Sequence, residues 1–286
     1  MEILVQQLAN GLMLGSTYAL FALGLTLIYG IMFIPNFALA HQGMVAGYIT
    51  FFLMSVLRCN YWVAIIISIL VSCLLGILIE RAIFHPLRKS PHVNLFIAAL
   101  ALMLILENLV LIIGGGDVRQ IASGYSNVIN ILGFTTTMQR IFVITIGAAL
   151  LGGCYLLIKK NKYGIAIAAT AQDSAGAQLV GINVSLVNMM MFALGSGLAA
   201  AAINLIGPIY QIEPAMGQAH IGKAFVVVIV GGMGSIPGAL LGGYILGMLE
   251  SLGAGYISSH FSDLFAFIIL VIFLYFKPTG IFGEKQ

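Results

Sequence analysis

Five side chains in this sequence could do chemistry where charge is costly. His41, Glu107, His220, Lys223 and Glu250 all lie within or at the edges of long apolar runs. An ionisable group in hydrocarbon is expensive, so such residues face protein or a watery route and often mark a solute path. Lys223 is the most suggestive, because it follows Gly222 and opens an unbroken apolar stretch. The plainer account is snorkelling to an interface. It suits Glu107, about six residues from the end of its run, and Glu250, near the end of its own. Histidines such as His41 and His220 are more often hydrogen-bonded structural groups than ligands or proton carriers. No Ser/His/Asp set, paired carboxylates or HExxH motif can be assembled. Cys59, Cys73 and Cys154 are far apart and without CxxC spacing, so neither a metal site nor a disulfide framework is expected. These residues point to no catalysis, no metal and no cofactor held by the chain itself.

A second stretch with chemical potential is Lys223–Gly247, KAFVVVIVGGMGSIPGALLGGYILG. Its glycines suggest a phosphate-binding loop, but Gly232-x-Gly234 leads into Pro237-Gly238 with no Lys-Ser/Thr pair. Gly231, Gly232 and Gly234 are better read as a turn between two helices. Gly234, Gly238 and Gly242, and then Gly243 and Gly247, have the small-xxx-small spacing that lets helix backbones approach.

These residues need membrane helices to position them. Of 286 residues, 61% are hydrophobic and only 7% charged, where a soluble domain carries about 25% charged residues. The chain is therefore an all-α polytopic membrane protein, a single domain over 1–286. The net charge of +3 is too small and dispersed for nucleic acid. Met1-Glu2-Ile3 carries no basic region ahead of the first apolar run, which is expected to be a span and not a signal peptide. Apolar runs lie at roughly 5–30, 36–57, 61–83, 93–113, 139–158, 185–207, 219–233, 238–257 and 263–276. They predict eight to nine spans, with 36–57 and 219–233 bent or re-entrant. Arg81, Arg88, Lys89, Lys159, Lys160, Lys162, Lys277 and Lys285 fall on one face; only Arg58, Arg119 and Arg140 fall on the other. The positive-inside rule then puts the N-terminus outside and loops 84–92 and 159–183 and the C-terminus in the cytoplasm.

A shift of 179 residues lays Pro35 on Pro214 and Ala40-His41-x-Gly43 on Ala219-His220-x-Gly222. In the topology above the two copies enter from opposite sides. That predicts an inverted repeat with halves of about 1–135 and 136–286, interrupted at Pro35 and Pro214. Pro35, Asn36, His41, Pro214, His220, Lys223, Gly231, Gly232 and Gly234 are the candidate path or helix-break residues.

The segment 159–183 is several times longer than the two to eight residues that join neighbouring helices. Three lysines open it, and Gln172-Asp173-Ser174 breaks its alanine-rich sequence. Ser174 is a candidate N-cap for a short helix, Gly181 a candidate C′ glycine, and Asn183 or Ser185 a cap for the next run. Gln172, Asp173, Ser174, Ala175, Ala177 and Gly181 would form a surface element that a soluble partner grips. In a secondary transporter or channel, for a small polar solute such as urea or an amide, the same stretch would be a mere loop. An intramembrane enzyme is a third class, which the missing catalytic set disfavours.

The sequence resembles the permease subunits of branched-chain amino acid ABC importers, in particular the first of the two related permeases. The likeness is carried by Leu12–Gly30, Ala171–Asn183, Lys223–Gly247 and the tail Lys277-Pro278-Thr279-Gly280-Ile281-Phe282-Gly283. It implies a second related permease, more often different than identical, and two cytoplasmic ATPase subunits that grip the coupling segments. It also implies an extracytoplasmic binding protein and a bacterial inner-membrane location, with ATP bound only by the partner subunits. Branched-chain or other hydrophobic amino acids are the implied solutes, although similar permeases serve urea and short amides. Two departures stand out: Leu39 where the family commonly has histidine, with His41 two residues on, and Ile165 and Ala168 where basic residues are common.

Overall fold

The computed structural model describes residues 2–33, 36–125, 127–131, 134–257, 262–277 and 280–282. Pro35 and three residues of the tail motif (Pro278, Thr279 and Gly283) lie outside them. Among the described residues six helical stretches are long and apolar enough to cross a membrane: 3–30, 61–87, 92–114, 138–160, 184–206 and 236–256. In full, α1 is Glu2–Met32, α2 Leu39–Ser55 and α3 Tyr61–Ile79; a π turn, Glu80–Phe84, joins α3 to α4, His85–Leu87. Then come α5 His92–Gly114, α6 Met138–Lys160, α7 Lys162–Gln172 and α8 Ser174–Leu179. The last four are α9 Val184–Ile206, α10 Met216–Gly231, α11 Ile236–Tyr256 and α12 Ser262–Phe276. The chain is thus a polytopic all-α membrane protein. The expected eight to nine spans include α2, α10 and α12, which have 17, 16 and 15 residues. At 1.5 Å per residue each is about 23–26 Å long, short of a ~30 Å hydrocarbon core.

α1 is the post of the fold: it is buried over most of its length and packs on α6, α9, α10 and α11. Its contact with α11 is made by glycines. A Cβ on Gly247 would lie 2.3 Å from the Gly15 backbone nitrogen, and one on Gly243 would lie 2.6 Å from that of Ala19. Gly238 meets Gly231 in the same way, across α11 and α10. With no water to drive association, such backbone-to-backbone packing is what holds membrane helices together. α3, α5, α6 and α12 carry apolar side chains outward, among them Ile66, Leu70, Ile105, Leu156 and Val271.

The irregular backbone is concentrated in the connections. Pro214 stands in the turn before α10, not inside a helix. Gly232 and Gly234 take positive φ (104° and 83°) between α10 and α11, and the Ser235 side chain caps α11 by accepting from the Gly238 N–H. The stretch between α5 and α6 holds an element not foreseen in the sequence, a small antiparallel hairpin of β1 Val128–Ile131 and β2 Phe134–Thr137. Arg119 and Ile212 exchange backbone hydrogen bonds of 2.8 and 2.7 Å, tying this region to the α9–α10 loop. The hairpin marks one end of the bundle; Arg88 and the lysines of 159–162 mark the other, the basic end.

At the basic end α6 passes into α7 through a single residue, Asn161. The corner is so tight that a Cβ on Gly164 would sit 1.6 Å from the Ile158 carbonyl oxygen. Only glycine fits there.

Candidate functional site

Near the hairpin end, α1, α6, α10, α11 and the α9–α10 loop surround a cavity of about 490 Å³. Lys223 lies halfway along α10, and its Nζ donates to Glu250 Oε1 on α11 at 2.6 Å and to the Tyr18 hydroxyl on α1 at 3.1 Å. The ammonium also lies 5.4 Å from the Tyr18 ring centroid, within cation–π range. Neither Lys223 nor Glu250 snorkels: their side chains are 16% and 6% exposed. Removing one partner of a buried pair typically costs 3–5 kcal/mol, because the other charge is stranded. His220 lines the same cavity, with Nδ1 2.8 Å from the Met216 carbonyl, so its role is at least partly structural. Arg140, at the start of α6, donates from Nη1 to Asn10 Oδ1 at 2.7 Å. Arg140 escaped the sequence reading, which used it only as a topological marker; its place beside the first residues of an apolar run was the available signal.

The other path candidates lie elsewhere. Asn36 is buried and its Oδ1 accepts from the Ala38 N–H at 3.1 Å, a turn that leads the chain into α2. His41 is fully buried on α2, and its Nε2 is 3.5 Å from Glu107 Oε2 on α5. The Glu107 side chain, 26% exposed, lies beside this histidine. Gly217 on α10 makes room for the His41 ring, 2.8 Å from where its Cβ would be. Leu39 is buried and touches the space at Gly24 on α1. Gly231, Gly232 and Gly234 form the α10–α11 turn at the basic end. The tail folds onto that turn: Ile281 N–H bonds the Val230 carbonyl at 2.9 Å and Phe282 N–H bonds that of Gly231 at 3.1 Å.

The segment 159–183 is two helices, α7 and α8. The N-cap of α8 is Asp173, whose Oδ1 accepts from the Ala175 N–H at 2.9 Å; Ser174, the expected cap, is the first helical residue. A side chain reaching two residues on must start outside the helix, and Asp173 does, with φ −150° and ψ 103°. Gly181 has φ 86°, and the bonds Gly181 N–H to Gln178 O and Ile182 N–H to Ala177 O, both 3.0 Å, complete a Schellman end. Asn183 caps α9 through the Leu186 N–H at 3.1 Å. Ala175 is exposed, but Ala177 is 4% exposed and belongs to the chain's own packing. The large exposed groups at the end of α8 are Leu179 and Val180, at 90% and 77%. Gln172, Asp173 and Ser174 line a second cavity, about 910 Å³, with His85, Arg88 and Ser90 from the α3–α5 region. Its wall is braced by Arg88, which is paired with the buried Glu80 of the π turn. With its amide oriented to donate to Val184 O, Asn188 on α9 also accepts from Arg88, at 2.6 Å.

A family profile described as "Branched-chain amino acid transport system / permease component" matches residues 7–274. The chain belongs to this permease family. It is 35% identical to the high-affinity branched-chain amino acid transport system permease protein LivH of Escherichia coli K12, over 99% of this chain and 96% of that one. It is 34% identical to the corresponding permease BraD of Pseudomonas aeruginosa, with the same coverage. The ribose import permease RbsC of Escherichia coli K12 is 25% identical, over 94% of this chain and 84% of that one. In fold, this permease is similar to PsaBC from Streptococcus pneumoniae, solved in complex with Fab, with a TM-score of 0.53 at 13% identity, covering 99% of this chain and 94% of the other.

Proposed function

We propose that this permease is one membrane subunit of an ATP-driven ABC importer. It would carry branched-chain or other hydrophobic amino acids from an extracytoplasmic binding protein into the cytoplasm. The observation that carries the reading is α8: a short helix fixed at both ends by its own caps, presenting Leu179 and Val180 almost fully to solvent. Exposed aliphatic groups on a rigid, capped element are what a docking contact needs. No nucleotide-binding motif occurs in the sequence, so ATP hydrolysis belongs to two separate cytoplasmic ATPase subunits gripping α8 and its copy on a second, related permease. The chain itself is no enzyme in this reading. The basic end faces the cytoplasm of a bacterial inner membrane, with the N-terminus and hairpin outside, in line with the lysine and arginine bias. We further read the two halves, about 1–135 and 136–286, as an inverted pair. Relatives named for branched-chain amino acids share more identity with this chain than the ribose permeases do (35% against 25%), which favours the amino-acid solute.

The test is co-purification of the ATPases with the permease, alongside leucine uptake with the binding protein present. Ala175→Arg should abolish both while membrane insertion continues. Full ATPase capture and full uptake by that variant would reduce 159–183 to a connecting loop.

A further inference from the structure

We infer that the cavity between α1, α6, α10 and α11 is a recess for a free α-amino acid zwitterion, with the ammonium on Glu250 and the carboxylate on Arg140. The inference rests on the importer reading and adds the groups by which this chain itself would recognise its solute. Glu250 is 5% exposed; Oε1 takes the Lys223 ammonium at 2.6 Å, while Oε2 has no hydrogen-bond partner. A buried carboxylate oxygen without a donor is costly, and this residue lines the cavity. Arg140 lines it too; Nη1 is engaged by Asn10, and the buried Nε has no partner. The cavity wall therefore carries an acid and a base, each with a buried polar atom left unfilled.

The charge balance narrows the solute. The acids lining the cavity are Glu213 and Glu250, and the bases are Arg140 and Lys223. Their formal charges cancel, so a solute with net charge would upset the balance, whereas a zwitterion preserves it. A neutral amide or sugar could bond the same atoms, but without charge on both partners those bonds are weaker. Met13, Leu14 and Ile206 supply apolar wall for an aliphatic side chain. The volume of about 490 Å³ falls within the usual range of small-molecule pockets.

The test uses the assembled transporter, this chain with its second permease and ATPases, in nanodiscs without binding protein. The probe is radiolabelled leucine, competed by isoamylamine, which is leucine without its carboxylate, and by isocaproate, which is leucine without its ammonium. Leucine should bind saturably, and each half-solute should compete at least about tenfold more weakly, the loss expected for one charge-assisted contact. In Arg140→Gln, leucine should fall to the level of isoamylamine while isoamylamine itself is unmoved. Glu250→Gln alone strands Lys223, so the neutral pair Lys223→Met/Glu250→Gln is used. There leucine should fall to the level of isocaproate while isocaproate is unmoved. Equal weakening of all three ligands in either variant would make these residues structural and overturn the recess. So would half-solutes, urea or ribose competing as well as leucine, or the absence of saturable leucine binding. Uptake with binding protein, measured alongside, separates the two readings. Leucine uptake without cavity binding overturns the recess alone, whereas no uptake of any amino acid overturns the importer reading.

Discussion

Truncating Leu179 to alanine should weaken docking of the ATPase without unfolding the permease. Leu179 is 90% exposed and stands at the end of α8, so the chain's own fold gains almost nothing from it. If the partner buries the side chain fully, the substitution removes about three methylene-sized groups at ~0.8 kcal/mol each, about 2.4 kcal/mol. That is roughly a fifty-fold rise in Kd; burial of half the side chain gives about eightfold. The assay is equilibrium binding of purified ATPase subunits to the permease assembly in nanodiscs, with thermal unfolding of the permease as control. Tm should stay within a degree or so of the parent, since surface substitutions usually cost under ~0.5 kcal/mol. The same variant should slow leucine uptake at subsaturating ATPase and recover as ATPase is added. An unchanged Kd would refute the reasoning, because it would mean the most exposed aliphatic group of α8 touches nothing. Ala177→Arg is a poor substitute, since Ala177 is buried within the chain and its loss confounds docking with folding.

Gly181→Val should disorder the end of α8: the cost is the positive φ of 86°, not crowding, since nothing lies within 4 Å of its Cβ direction. Gly181→Asn should be milder, and comparing ATPase binding by the two variants checks the ordering. Gly247→Ala should destabilise the α1–α11 contact beyond the ordinary overpacking cost of ~1–3 kcal/mol, because the atom it meets is the Gly15 backbone and cannot rotate away; Tm in detergent reads the loss, and an unchanged Tm counts against a glycine-built interface. A single cysteine at Asp117, whose side chain is 83% exposed, should label only from outside, and one at Ser90 only from the cytoplasm; both labelling from one side would break the proposed orientation.

Local features of this chain are readable from sequence, and pairwise ones are not. The apolar runs locate the helices because a helix of about twenty apolar residues is the simplest span that satisfies its own backbone. Gly181 was legible because so few residue types tolerate its φ. The cap of α8 was off by one: Asp173 and Ser174 are both capping residues side by side, and only the backbone angles decide between them. Glu250 does not snorkel because its partner is Lys223, 27 positions away. Nothing in a linear pattern says which helix faces which. The hairpin at 128–137 was hidden because four-residue strands give too little alternation to stand out. Leu179 and Val180 were not singled out, because nothing in a linear pattern says that an aliphatic side chain stays exposed.

The corner at Asn161 has a mechanical consequence. α6 runs 23 residues, about 35 Å, from Met138 to Lys160. Arg140 sits at its far end, and α7 is clamped to its near end where Gly164 meets the Ile158 carbonyl. With Asn161 alone between the helices and no room for a methyl group at Gly164, α6 and α7 would move as an angled crank. Swinging α7 by about 5° would carry Arg140 about 3 Å sideways over that lever arm. This exceeds the reach of a hydrogen bond such as that from Arg140 to Asn10. A small rotation at one end of the bundle would thereby be geared to the making or breaking of a contact at the other.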